Sequence, residues 1–472
     1  MAGALPQNCA AFSLAEVAAV TGGALAGGSG EARVAGVTTD SRADVAGKLF
    51  VALSGERFDG HRFVEDVARA GAAAVLVGRD VGALPIPVVR VESPLAALGA
   101  LGREQRRRFP GKVVAVAGSA GKTTTRSAVG ALLSELAPGA VHQTTANLNN
   151  LIGVPLVLLG LSEAHRYAVV EIGTNAPGEV ARLAALVEPD LAVLTLIGIE
   201  HSEGLGDLDG IEREEGAVFG GLRAGGIALG NADDARVLRQ LAGARAERVR
   251  YGFGADAEVR GRRLGGSAGR QKLAVSGRQG SFELELPLLG EAGAYAALAA
   301  VAVAESLAPT ARIDPRALSA AFSRAGEPGR LEAHELADGT LVLDDAYNSN
   351  PASARASLRT ARELADGRKA RLVLVLGEMR ELGALSAREH RELGDAIGAS
   401  GASALIAVSG DARLYVEAVH DSGMDACFAA DAEAGLAAAR ERIRPGDVVL
   451  VKASRGVRAE RVVQGLVAGG AR

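Results

Sequence analysis

The sequence predicts an α/β protein of three parts, centred on a doubly wound parallel sheet that carries a phosphate-binding loop (a P-loop). Three observations predict it. A chain of 472 residues is longer than one core fills. Apolar runs of strand length alternate with amphipathic helical stretches along most of it, as in parallel sheets with helical crossovers. The stretch "GSAGKTTT", Gly118 to Thr125, follows the apolar run "VVAVA" and precedes the helix-like "RSAVGALLSEL", which is the strand, turn and helix order of a phosphate cradle.

The elements follow in order. Residues 1–108 mix short strands ("KLFVAL", "AAVLVG", "PVVRVE") with amphipathic helices such as "HRFVEDVARAGA", a smaller α/β domain. It closes on "GREQRRRFPGK", whose three adjacent arginines read as a solvated helix end at a boundary near 109. The second segment, 109–325, repeats strand and helix: "YAVVEIG" then "EVARLAALV", "LAVLTLIG" then "GIEREEGAVFGGL", "GIALGN" then "DARVLRQLA". From 248 to 288 short alternating runs between glycines predict a small antiparallel insertion, followed by an alanine-rich helix over 292–307. The turn "AGEPGR" at 325–330 marks the second boundary, and 326–472 resumes the alternation with "RLVLVLG", "ALIAVSG" and "DVVLVKASR". Ligands bind at the carboxyl ends of strands in open α/β sheets, so two sheet domains are expected to face one another across a cleft.

Composition narrows the function. Aromatic residues are 3% and Trp is absent, so packing must rely on Ala, Val and Leu. A net charge of −4 gives no electrostatic reason for nucleic acid or a membrane surface. Cys9 and Cys427 are far apart and fit neither a metal pattern nor a disulfide framework, which points to a reducing cytoplasm. "MAGALPQNCAAF" lacks the basic start and long apolar region of an export signal, and the alanine-rich run 292–304 is shorter than a membrane span. A soluble, cytoplasmic protein is expected.

The chemistry-bearing residues collect at strand ends. Gly118 and Gly121 permit a tight turn, Lys122 reaches outer phosphates, and the hydroxyl of Thr123 or Thr124 is placed for Mg²⁺. The glycine spacing is tighter than in the general G-x-x-x-x-G-K-[ST] pattern. Glu171 closes "YAVVE", and His201 with Glu203 follows "LTLIGIE", so carboxylate and imidazole approach one pocket where a metal on nucleotide phosphates needs them. "TTANLNNLIGVP" supplies amides that read hydrogen-bonding edges or make turns. "VLDDAYNSNPAS" sets two aspartates, Tyr347 and two asparagines at a strand end before a proline that fits a helix start, and "LVKASRGV" adds Lys452 and Arg455.

Taken together, "TTDSRADVAGKLFVALSGERFDGHRF", "GSAGKTTT", "ANLNNLIGVPL", "EIGTNAPGEV", "HSEGLG", "LGNADD", "GRLE", "LDDAYNSNP", "VLGEMRELG" and "VKASR" resemble the Mur ligases, the ATP-dependent amide ligases of cell-wall precursor synthesis. The likeness runs nearly the full length and favours the branch that adds D-alanyl-D-alanine to UDP-N-acetylmuramoyl-tripeptide, since the branch adding the third amino acid usually has a "DYAHTP"-like run where "DDAYNSNP" stands.

The resemblance implies an N-terminal domain for the UDP-sugar, a central ATPase domain and a C-terminal Rossmann-like domain that closes over the site, in a monomeric enzyme with no nucleic-acid partner. It implies ATP and Mg²⁺. Ser41, Arg42, Asp59, Gly60 and His61 would form the UDP-substrate region. Gly118, Ser119, Ala120, Gly121, Lys122, Thr123 and Thr124 would hold ATP phosphates. Thr123, Glu171 and His201 would serve the metal, and Asn147, Asn149 and Asn150 the central ligand site. Arg330 and Asp345 would contact the nucleotide. Tyr347, Asn348, Asn350, Lys452 and Arg455 would lie near the incoming dipeptide or the transferring phosphate.

Three positions depart from the pattern. Glu215 stands where a carbamylated lysine is usual; its stem is three bonds shorter, so its reach falls short by about 4 Å. Ala292, Gly293 and Ala296 replace polar groups on the adenine side, so packing or backbone is expected to hold the base. Leu196 replaces the asparagine of "TNIG". Two rival readings follow: a sibling ligase with another amino acid or a folate-like substrate, and a nucleotide-binding regulator without turnover.

Overall fold

A computed structural model of the chain describes residue 8 and residues 10–56, 58–267 and 270–469; Cys9 lies outside them. The N-terminal segment forms a five-stranded sheet in the spatial order Ala24–Ala26, Val88–Arg90, Ala74–Val77, Leu49–Val51, Val37–Thr38. Only the first of these pairs antiparallel. Helix α1 (Pro94–Arg108) starts where Pro94 needs no N–H partner and the Ser93 hydroxyl accepts from the Ala96 N–H. Its Leu98 and Leu101 share a core with Leu156 and Leu159 from the following segment, which fastens the two segments together.

The arginine run at the end of α1 differs from expectation. Arg106 is fully buried. Its guanidinium donates to the carbonyls of Val187 and Glu188 and to Asp190 Oδ2, each at 2.9 Å. Three acceptors from one distant turn replace water, so a formal charge run conceals an internal cross-link. Arg107 and Arg108 remain largely outside, on Glu188 and Glu104.

The central segment holds a nine-stranded sheet. Its strands are β1 (Lys112–Ala117), β2 (Val141–Gln143), β3 (Tyr167–Glu171), β4 (Leu191–Leu194), β5 (Ile227–Asn231), β6 (Glu247–Gly252), β7 (Val259–Ser267), β8 (Arg270–Gly277) and β9 (Gly280–Leu286). Their spatial order is β2-β3-β1-β4-β5-β6-β7-β8-β9. The order turns at β1, from which chains leave to both sides, and this is where an open sheet leaves a crevice. β1 to β6 are parallel, β7 joins parallel to β6, and β7, β8 and β9 pair antiparallel. The antiparallel insertion therefore extends the same sheet, and its first predicted residues belong to the parallel strand β6.

β1 is buried on both faces, as its unbroken apolar sequence requires. One face carries α2 (Lys122–Leu136) and the alanine-rich helix that follows β9, whose small side chains let it lie against α2. The other face carries α3 (Glu179–Val187) and α4 (Leu208–Gly216). The alanine-rich helix is α5 (Gly290–Leu307).

The last segment forms a six-stranded sheet from β10 (Glu332–Glu335), β11 (Leu341–Asp345), β12 (Leu372–Gly377), β13 (Ala404–Val408), β14 (Asp425–Ala429) and β15 (Val448–Lys452). The order β10-β11-β15-β12-β13-β14 is parallel except at β10. Helix α6 (Pro351–Arg368) follows β11; Asn350 caps it, accepting from the Ser353 N–H at 2.9 Å. Among the described residues, no helix is long and apolar enough to cross a membrane.

Candidate active site

The turn after β1 is built by its neighbours as much as by its glycines. Gly118 has φ +125° and Gly121 φ +83°, conformations that side chains disfavour. A Cβ on Gly118 would lie 2.2 Å from Thr195 Oγ1. That hydroxyl sits within hydrogen-bonding distance of the carbonyls of Ala117 (3.1 Å) and Ala120 (2.7 Å), while the Ser119 N–H donates to the Leu196 carbonyl at 2.8 Å. Leu196 therefore serves the loop through its backbone, which its side chain does not alter.

Lys122 opens α2 and is nearly enclosed. Its ammonium donates to the Gly118 carbonyl and lies 3.4 Å from Glu200 Oε1 and 3.8 Å from Glu215 Oε1. Burial works against its charge, but the carboxylates of Glu200, Glu215 and Glu171 outweigh burial and hold its pKa above the ordinary lysine value. Glu200 moves well above the carboxylate range, first because it is buried and also because Glu215 is beside it, with Lys122 opposing. Glu215 is fully buried and its Oε2 accepts from the Gly118 N–H at 2.6 Å. Short as its stem is, Glu215 reaches the Gly118 N–H from the last turn of α4.

Glu171 ends β3 at the mouth of the loop. Its Oε1 accepts from Asn149 Nδ2 at 2.9 Å, and its Oε2 is buried without a hydrogen-bond partner. An orphaned, buried, hard oxygen beside a phosphate cradle fits a divalent cation such as Mg²⁺. Arg126 lies behind it, its Nε 3.5 Å from Glu171 Oε2. The same guanidinium donates to the Thr144 carbonyl and, at 2.5 Å, to Glu327 in the linker to the last domain.

His201 adopts φ +45° and places Nδ1 2.6 Å from Glu381 Oε2, across the domain boundary. That contact lowers the Glu381 pKa, against its partial burial. Ser202 donates to the Leu382 carbonyl at 2.9 Å, so the His201 turn is held by the opposite domain.

The last domain brings its own cations. The Arg330 guanidinium stacks 4.2 Å from the Tyr347 ring centroid and reaches Thr123 Oγ1 at 3.3 Å. Arg455 meets the Tyr347 hydroxyl at 3.1 Å. Lys452 donates to Asp345 Oδ2 at 2.6 Å and to the Asn348 carbonyl at 3.0 Å; burial lowers its pKa while Asp345 resists. Asn350 Nδ2 donates to the Ser119 carbonyl at 3.2 Å.

One cavity of about 580 Å³ joins Ser119 through Thr124, Asn147, Asn149, Asn150, Glu171, His201, Arg330, Tyr347, Asn348, Asn350 and Arg455. Asp345 and Lys452 sit just behind it, with Ala292 and Gly293, on a smaller adjoining pocket, while Ala296 is buried within α5. The N-terminal group lies elsewhere. Arg42 is exposed and pairs with Asp40 at 2.9 Å, next to Ser41 in the same turn. His61 bonds Asp59 Oδ1 through Nδ1 at 2.8 Å and accepts the Gly78 N–H at Nε2, with Gly60 buried between them. Asp59, pinned by His61 and Arg79, falls to about 2.

Sequence reasoning missed Glu200, Arg126, Glu327 and Glu381. Glu200 was signalled by its place before His201. Arg126 reads as one more polar helix residue, and its meaning depends on a linker 201 positions away.

A phosphate cradle, buried acids and the cations of the last domain on one cavity define an ATP-dependent ligase. The Mur ligase family catalytic domain matches residues 33–106, the Mur ligase middle domain 116–304 and the Mur ligase glutamate ligase domain 329–455, and the chain belongs to the Mur ligase family. It is 36% identical over 434 residues, covering 91% of this chain and 93% of the relative, to the UDP-N-acetylmuramoyl-tripeptide--D-alanyl-D-alanine ligase of Escherichia coli K12. Among solved structures it is similar to MurF from Acinetobacter baumannii (TM-score 0.86, 28% identity, 97% and 99% of the two chains). MurF from Thermotoga maritima in complex with ADP gives TM-score 0.81 at 26% identity over 92% and 97%.

Proposed function

We infer that the chain is an ATP-dependent peptide ligase that joins D-alanyl-D-alanine to UDP-N-acetylmuramoyl-tripeptide in peptidoglycan precursor synthesis. Likeness to D-alanyl-D-alanine-adding ligases over most of the chain carries this reading. The phosphate loop facing Arg330, Lys452 and Arg455 gives it a physical basis.

A carboxylate is a poor acyl donor. The tripeptide's terminal carboxylate attacks the γ-phosphorus of ATP; the new bond is O–P, the bond to the β-phosphate oxygen breaks, and ADP departs. The dipeptide amine then attacks the acyl carbon, C–N forms, C–O breaks, and phosphate leaves as the amine loses its proton. Like charges oppose the first step. Lys122, with its ammonium kept charged by Glu200 and Glu215, offsets that repulsion from the nearly buried floor of the cleft. Thr123, Glu171 and His201 are the groups that would hold Mg²⁺, which when bound supplies further charge neutralisation. Arg330 and Asp345 orient the nucleotide; Asn147, Asn149, Asn150, Tyr347, Asn348, Asn350, Lys452 and Arg455 orient the two acceptor substrates. Ser41, Arg42, Asp59, Gly60 and His61 bind the UDP end.

We assign domain limits of 1–108, 109–325 and 326–472, and a cytoplasmic monomer. Dipeptide-dependent phosphate release from ATP, Mg²⁺, UDP-N-acetylmuramoyl-tripeptide and D-alanyl-D-alanine is the expected result. Nucleotide binding without release would support a regulator instead.

A further inference from the structure

Outside the cleft, three metal-ligating side chains meet at one spot: Glu332 and His334 of β10 and Asp344 of β11. Strand register explains the meeting. β10 and β11 pair antiparallel with Glu332 opposite Asp344 and His334 opposite Val342, so the two-residue period of a strand puts all three on one face of the sheet. On that face Val342 shares a core with Val462 and Leu466 of the helix Glu460–Gly469. Asp345, the next residue along β11, serves the other face, where it meets Ser357 of α6 and Lys452. One ligand atom from each of the three residues lies within 4.8 Å of the other two.

Opposed like charges destabilise a strand pair unless a cation lies between them. Among the described residues, neither Glu332 nor Asp344 pairs with a lysine or arginine; the imidazole of His334, its Nε2 3.7 Å from Glu332 Oε2, is the basic group beside them. Asp344 is only 9% exposed. Its Oδ1 accepts from the Ala346 N–H at 3.0 Å, and its Oδ2 takes no hydrogen bond from a described residue. Burial raises its pKa; the Ala346 N–H and His334 oppose that, while Glu332 and Asp345 add to it. A buried carboxylate oxygen without a donor, facing an imidazole and a second carboxylate, is the arrangement that a divalent ion completes.

We propose that Glu332, His334 and Asp344 form a binding site for a divalent ion of the zinc class, separate from the Mg²⁺ groups of the cleft. Two carboxylates balance the charge of the ion, and a neutral imidazole supplies the nitrogen ligand that favours zinc over magnesium. Glu332, with its side chain 45% exposed, rotates to close the distance to bonds of about 2.1 Å. β10 begins two residues after Arg330, which reaches Thr123, so an ion here ties the strand that follows Arg330 to β11. The site stands whether or not the ligase reading does.

The test dialyses the whole chain and its variants His334→Gln and Glu332→Gln against Zn²⁺, with and without millimolar Mg²⁺, and measures bound zinc by atomic absorption. Both substitutions fall on part-exposed residues of an edge strand, and far-UV circular dichroism checks that the fold is kept. Zinc taken up by the phosphate cleft is common to all three proteins and cancels in the difference. The wild type is expected to bind one Zn²⁺ that each variant binds at least about tenfold more weakly. Equal zinc content and affinity in all three would overturn the proposal. Displacement of that Zn²⁺ by millimolar Mg²⁺ would also overturn it, because a site with a nitrogen ligand holds zinc against magnesium.

Discussion

Lys122 is held by three acids at once, so removing it has two effects. Lys122→Ala deletes the cation that faces the phosphoryl group and strands Glu200 and Glu215 without their partner. Turnover is expected to fall by about 10³-fold, the scale of losing a transition-state donor, with near-UV circular dichroism unchanged. Full activity in that variant would remove the loop from the chemistry. Glu200 carries a separate signature. Its folded pKa is raised, so the folded state binds its proton more tightly than the unfolded chain does, and stability declines as pH climbs from the ordinary carboxylate range through the raised value. Glu200→Gln removes that dependence. Thermal unfolding of the variant is expected to gain on the wild type as pH rises across that window; parallel profiles would show that burial does not perturb Glu200.

At the scale of the element, the loop after β1 depends on the strand beside it. Thr195→Val keeps the shape but removes the hydroxyl from the Ala117 and Ala120 carbonyls, an expected loss of about 1–3 kcal/mol in urea unfolding, together with a raised KM for ATP. A lowered stability with unchanged KM would show that the hydroxyl supports the sheet and not the cradle. This is also where sequence reading reached its limit. Strand, turn and helix were legible around Gly118, and so were Glu171 and His201, because each ends an apolar run and such ends point to one crevice. Thr195 was not, because its hydroxyl acts on carbonyls some 75 positions earlier. Glu215 was measured by stem length alone against a metal site, and bond counting does not show that its carboxylate meets the Gly118 N–H from the end of α4.

At the scale of the molecule, three sheets are joined by a few polar links that span the chain. Arg106 couples α1 to the turn before β4, and charge counting mistook it for surface because its partners lie more than 80 residues away. Arg106→Met leaves two carbonyls without their donor and Asp190 with only the Val113 N–H and Lys112, and is expected to cost about 3–5 kcal/mol in equilibrium unfolding. A cost below about 1 kcal/mol would mean that water or Lys112, 3.2 Å from Asp190, takes over.

The Asn350 amide caps α6 and also grips Ser119 of the phosphate loop. It follows that the amino ends of α2 and α6, each the positive pole of its helix dipole, converge on one gap. Two such poles repel, and an anion between them turns repulsion into attraction. A triphosphate would then act as mortar between two domains, and transfer of its γ-phosphoryl group would loosen the joint, so the energy currency of the reaction would also set the timing of its clamp.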